Sequence, residues 1–117
     1  MFEKDMRLAL LLDDYGELLS PQRRTIMELY YCEDLSLTEI AENTGITRQA
    51  VRDSIKKGEA ELHRLEEALH LTERMTAIRK KCTDAAAEID AVLPELSDGK
   101  CRTSLLRIAD ELRNTVY

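Results

Sequence analysis

Apolar residues recur at helical spacing along nearly the whole chain, and no stretch alternates apolar and polar as a half-buried strand does. Between Lys4 and Leu19, the positions Met6, Leu8, Leu10, Leu11, Leu12, Tyr15, Leu18 and Leu19 give one helix with a broad apolar face, weakened at its end by Gly16. Ser20-Pro21 then pairs a good N-cap with a proline whose missing N–H costs nothing in the first helical turn. A second helix follows through Ile26, Met27, Leu29, Tyr30 and Tyr31, and should stop near Cys32 to Asp34.

Ser36 and Glu39 have capping-box spacing, so a short third helix should run from Leu37 to about Thr44. Gly45 supplies a left-handed turn, and Thr47 caps a fourth helix with Val51, Ile55, Leu62, Leu65 and Leu69 on its apolar stripe. The phase then breaks at His70 to Thr72, with Thr72 as the expected N-cap of a fifth helix. One continuous bent helix is the alternative.

Leu71, Met75, Ile78, Cys82, Ala85, Ile89, Val92 and Leu96 form a seam of alternating four- and three-residue steps. Pro94 ends that helix or lies just past its end, Ser97 to Lys100 is a turn, and a sixth helix from about Arg102 carries Leu105, Ile108, Ala109, Leu112 and Val116. The expected architecture is all-α, about six helices. Residues 1–70 form a helix-turn-helix domain without a wing, and 71–117 a C-terminal hairpin, read as antiparallel. The seam holds more apolar surface than one short partner helix needs, so the hairpin is also the expected dimerisation element of a homodimer.

The third and fourth helices carry the function. Two helices that cross steeply over a three-residue turn need a small residue at the crossing, a residue tolerant of positive φ, and apolar anchors. Ala41, Gly45, and the set Ile40, Ile46, Val51 and Ile55 meet these needs together. The fourth helix then turns Thr47, Arg48, Gln49, Arg52, Lys56 and Lys57 outward. Arg48, Arg52 and Lys56 share one ridge, and the Gln49 amide is placed to read a base edge. Backbone N–H groups at the helix start favour phosphate as well. Asp53 interrupts this face and would repel a nucleic-acid backbone.

Composition sharpens the picture. The 117 residues carry a formal net charge of −6, against the basic excess usual in nucleic-acid binders. Contact must therefore come from a local basic stripe on an acidic body. Three scattered cysteines, Cys32, Cys82 and Cys101, argue against a disulfide framework or a zinc site, and are expected to be reduced and mostly buried. His63 and His70 lie a heptad apart, too far for a two-histidine metal site. Asp13 and Asp14 point apart, which makes a poor acid–base pair. No phosphate-binding loop or nucleophile signature appears. No enzyme, metal or cofactor is expected. With no apolar run long enough to span a bilayer and no signal-peptide core, a cytoplasmic protein without membrane insertion is expected. Tyr15, Tyr30 and Tyr31 are candidates for stacking on unpaired bases; core is the expectation for Tyr30, with Tyr31 left open.

Residues Leu19 to Tyr31 (LSPQRRTIMELYY), Leu35 to Glu42 (LSLTEIAE) and Gly45 to Val51 (GITRQAV) resemble the fourth region of bacterial sigma factors. That resemblance covers about Leu19 to Leu69 and implies DNA contact through the fourth helix. Nothing resembles the promoter-melting region, so a working sigma factor is not expected. A closer resemblance is to the YlxM family of small bacterial helix-turn-helix proteins. It is carried by Asp13 to Leu19 (DDYGELL), Leu29 to Tyr31, Ser36 to Glu42, Thr47 to Val51 (TRQAV) and the acidic stretch Glu59 to Leu69. It implies an accessory or regulatory factor of the signal recognition particle. The implied partners are the particle's RNA, its GTPase, or DNA. Arg52 departs from the aromatic frequent at that position in the family. The alternative function is a protein-interaction module that binds the pathway GTPase or RNA polymerase without nucleic acid.

Overall fold

A computed structural model describes residues 6–115. These form six α-helices: α1 (Arg7–Tyr15), α2 (Pro21–Tyr31), α3 (Leu37–Thr44), α4 (Arg48–Leu69), α5 (Leu71–Val92) and α6 (Lys100–Thr115). No strand occurs among the described residues. Short 3₁₀ turns follow α1 (Gly16–Leu18) and α5 (Leu93–Glu95). The expected start of the first helix at Lys4 and the apolar Val116 lie outside the described residues. The chain falls into two compact units that divide after Thr72.

In the first unit the local signals act as read. The Ser20 hydroxyl accepts from the N–H of Arg23, with Pro21 in the first turn of α2. Ser36 and Glu39 form the reciprocal capping box of α3, at 3.1 Å in each direction. Gly45 closes α3 in the left-handed region at φ 75°. The Thr47 hydroxyl accepts from the N–H of Ala50 at 3.0 Å and opens α4.

The core gathers Leu8, Leu11, Leu12 and Tyr15 of α1, Ile26, Met27 and Tyr31 of α2, Ile40 of α3, and Val51, Ile55 and Leu62 of α4. Burying such side chains contributes roughly 1.5–3 kcal/mol each. Met6, Leu18 and Leu69, counted on apolar faces from the sequence, are instead exposed, because each lies at an end of its element beyond the packed neighbours.

Two core features escaped the sequence reading. Gly58 sits inside α4 and is buried against α2. A Cβ there would stand 2.8 Å from the Met27 sulfur, so the absent side chain leaves the space that the fully buried Met27 side chain fills. Of the adjacent pair, Tyr31 is the buried one, its hydroxyl donating to the Glu59 carboxylate, whereas Tyr30 is half-buried and meets Tyr31 edge-to-face at 5.0 Å. The expectation for Tyr30 is thus only partly met.

The chain breaks at His70, which adopts φ 53°, so α4 and α5 are two helices. Thr72 is not the N-cap of α5. The helix opens one residue earlier, and the Thr72 hydroxyl donates to the Asp14 carboxylate at 2.6 Å. The first N–H groups of a helix lack internal partners and need others. Here the Leu71 N–H donates to the Tyr15 hydroxyl (2.9 Å) and the Thr72 N–H to the Glu66 carboxylate (3.0 Å). Tyr15 itself donates to Glu66 at 2.6 Å. Burial, then this bond to a carboxylate, pushes the Tyr15 hydroxyl above its ordinary value of 10.0.

In the second unit, Ala86, Leu93 and Ala109 are buried. Met75, Cys82, Ile89 and Leu96 are half-buried beside them. The covered face of α5 is rotated from the expected seam. Ile78 and Val92 are exposed, and Ala86 and Leu93 lie inside. The Arg102 guanidinium donates to the Leu93 and Leu96 carbonyls at 2.7 and 3.3 Å, which ties the start of α6 to the turn after α5. An Arg113–Asp90 pair ties α6 to the last turns of α5. The cysteines are not mostly buried. Cys32 and Cys101 are exposed and Cys82 is half-buried. Partial desolvation, with Glu28, Asp13 and Glu33 nearby, holds the Cys32 thiol above its ordinary value and leaves it a weak nucleophile.

Replacing an interior helical Gly by Ala normally stabilises by about 1 kcal/mol. Gly58→Ala should instead destabilise by about 1–3 kcal/mol through overpacking against Met27, measured as a lower denaturation midpoint. The raised Tyr15 value means the native state holds that proton more tightly than the unfolded chain does. Its contribution is complete below pH 10 and is lost as pH rises past it. Tyr15→Phe should cost about 1–3 kcal/mol at neutral pH and flatten the decline of melting temperature above pH 10.

Candidate nucleic-acid interface

The inward stripe of α4 is Val51, Ile55, Gly58 and Leu62. This stripe fixes which side chains face out. Thr47, Arg48, Gln49, Arg52, Lys56 and Lys57 are all exposed. Steps of four residues advance a helix by about 40°, so these positions form two rows. Arg48, Arg52 and Lys56 make one row; Gln49, Asp53 and Lys57 make the next.

The two rows differ in surroundings. Asp53 and Lys57 line a shallow open groove with Ala50, Ser54 and Ile46, closed on its far side by Gln22, Arg23 and Ile26 of α2. The Gln49 amide donates to the Asp53 carboxylate at 3.1 Å, so both side chains are held in a defined pose along the second row. Thr47 is committed through its hydroxyl to the N-cap, which leaves its backbone and methyl at the surface.

Arg23 is the residue the sequence reading missed. It lies across the groove, donates to the Ser54 hydroxyl at 3.4 Å and sits 3.8 Å from the Glu61 carboxylate. The basic Arg23-Arg24 step just after the Ser20 cap was the available signal.

The charge order along α4 is unusual. Its first ten residues carry four cations and one carboxylate, and its first turn holds no acidic residue. Its last turn holds no basic residue, and Glu59, Glu61, Glu66 and Glu67 crowd the second half. A helix dipole favours the opposite order, by about 0.3–1 kcal/mol per charge. Cations at the positive end of α4 therefore cost the helix stability.

The family profile of UPF0122, described as "Putative helix-turn-helix protein, YlxM / p13 like", matches residues 2–95. The chain belongs to this family. It is 52% identical over 71 residues to a UPF0122 protein of Oceanobacillus iheyensis, covering 61% of this chain and 68% of that one. It is 43% identical over 108 residues to a UPF0122 protein of Geobacillus kaustophilus, covering 84% and 98%. A Geobacillus sp. homologue is 38% identical over 112 residues, covering 96% and 99%. The YlxM-like helix-turn-helix thus has relatives matching nearly end to end. No helix among the described residues is long and apolar enough to cross a membrane.

Asp53 is the one carboxylate among the cations of this face. Asp53→Asn keeps an oxygen for the Gln49 amide and removes the repulsion. It should raise non-specific affinity for duplex nucleic acid about two- to tenfold at low salt in a fluorescence anisotropy titration.

Proposed function

We propose that this YlxM-like protein binds nucleic acid through the outward rows of the first half of α4 and acts as an accessory or regulatory factor. Its pathway, on the strength of family membership, is that of the signal recognition particle. The observation that carries the reading is the cationic row Arg48, Arg52 and Lys56 at the start of a helix whose dipole would prefer carboxylates there. The helix-turn-helix presents this row free of the core, in the position from which such helices enter a groove. Arg48 and Arg52 supply phosphate contact, Gln49 the amide that can read a base edge, and the helix start its backbone N–H groups. Lys56 and Lys57 extend the contact along each row. The ligand is the particle's RNA or DNA, and the acidic remainder of the chain limits affinity to what this stripe supplies.

Changing Arg48 and Arg52 together to Ala should weaken binding and reduce the slope of log affinity against log salt by about 1.8, from about 0.9 per lost duplex phosphate contact. Titrations of the particle's RNA and of a DNA duplex across a salt series check this. If the double variant binds both as wild type does, the row is not the site. The function then moves to a protein partner such as the pathway GTPase or RNA polymerase.

A further inference from the structure

The outer face of α5 has a pattern that the nucleic-acid reading does not use. Leu71, Ile78 and Val92 are 39%, 48% and 44% exposed, and they recur at seven-residue steps with half-buried Ala85 completing the series. Seven residues are close to two helical turns, so the four positions form one stripe along the helix. The stripe lies beside the covered face of Met75, Cys82 and Ile89 and is not part of it.

The charges of α5 are divided as sharply as its apolar positions are aligned. Its first eleven residues, 71–81, carry Arg74, Arg79, Lys80 and Lys81 against Glu73. Its last eleven, 82–92, carry Asp84, Glu88 and Asp90 and no cation. The halves are therefore +3 and −3, and the midpoint of this 22-residue helix falls between Lys81 and Cys82.

We propose that α5 is a homodimerisation helix that pairs antiparallel with α5 of a second copy about a two-fold axis at that midpoint. In this register the two helices overlap along their full length, about 33 Å. Leu71 packs opposite the partner's Val92, and Ile78 opposite the partner's Ala85. The stripe is thus its own complement, as an isologous interface requires. Every positive half faces a negative half. Arg74, on the flank of the stripe, comes within one residue of level with the partner's Glu88. A parallel pair would set +3 against +3. The apolar stripe supplies the affinity and the charges choose the orientation, since exposed ion pairs contribute little energy but do select partners. Three charges of α5 are already engaged within one chain, Lys80 with Asp84 at 2.9 Å and Asp90 with Arg113, and at 100° per residue all three point away from the stripe, which leaves Arg74, Lys81 and Glu88 on its flank. The two Lys81 side chains straddle the axis and extend to solvent.

Sedimentation equilibrium of the full chain at tens of micromolar tests this. The expected mass is about 27 kDa, twice the 13.4 kDa of one chain. Ile78→Asp should weaken the dimer by at least about tenfold with helical content unchanged, because it places a charge against the partner's apolar stripe. Val92→Asp should do the same from the other end and serves if the first variant loses helix. For orientation, Cys32, Cys82 and Cys101 are replaced by Ser. Arg74→Cys chains mixed with Glu88→Cys chains should then crosslink through a short bifunctional maleimide, while Arg74→Cys alone should not. A monomer at these concentrations, a dimer insensitive to both Asp variants, or crosslinking of Arg74→Cys with itself would overturn the proposal.

Discussion

The backbone at residue 45 must turn left-handed within a three-residue link, and the rest of the first unit is arranged around that requirement. Glycine meets it at φ 75° without strain, with open space where a side chain would be. The turn brings Ile40 of α3 and Val51 of α4 into one core, both fully buried. Once Val51 is inside, helical geometry assigns Ile55, Gly58 and Leu62 to the same face and leaves Arg48, Arg52 and Lys56 in water. The cationic row is therefore a consequence of the turn and the core together. A side chain at 45 would strain the link, and a polar residue at 51 would destabilise the core that holds α4 in place.

A second constraint explains how this row stays available. The chain is acidic, yet its carboxylates concentrate away from the start of α4. Asp53, the carboxylate nearest to it, accepts from the Gln49 amide; farther along α4, Glu59 accepts from Tyr31, Glu61 lies beside Arg23, and Glu66 serves Tyr15 and Thr72. These last contacts hold acidic side chains against neighbouring helices. The same network closes the α4–α5 junction, where a break without a capping residue is satisfied by a tyrosine hydroxyl and a glutamate. Fold and function share residues here, since the acidic half of α4 stabilises the unit that presents the basic half.

What could be read from the sequence was what local chemistry decides. The Ser20-Pro21 start, the Ser36–Glu39 box, the glycine turn and the Thr47 cap each depend on a few neighbouring residues, and each stands where the pattern placed it. The outward side chains of α4 followed from the same period. Features set by distant packing were not legible. Nothing near Gly58 in sequence shows that Met27 will occupy its missing side chain's space. Choosing between Tyr30 and Tyr31 needed the position of Glu59, and Arg23 joined the groove only through the α2–α4 crossing. The covered face of α5 keeps Met75, Cys82, Ala85, Ile89 and Leu96 of the expected seam, but is turned enough to bury Ala86 and Leu93 and to expose Leu71, Ile78 and Val92. The exposed cysteines had no sequence signal at all.

The measurement that bears most directly on the central claim is a residue-by-residue map of where nucleic acid touches the chain. Amide chemical shifts of isotope-labelled protein, titrated with the nucleic acid that co-purifies with it from its native cell, provide that map. The account predicts the largest changes from Thr47 to Lys57, a weaker set at Gln22 and Arg23, and little on the core-facing positions of α1. Changes concentrated on α5 and α6 with α4 silent, or no bound nucleic acid, would contradict it.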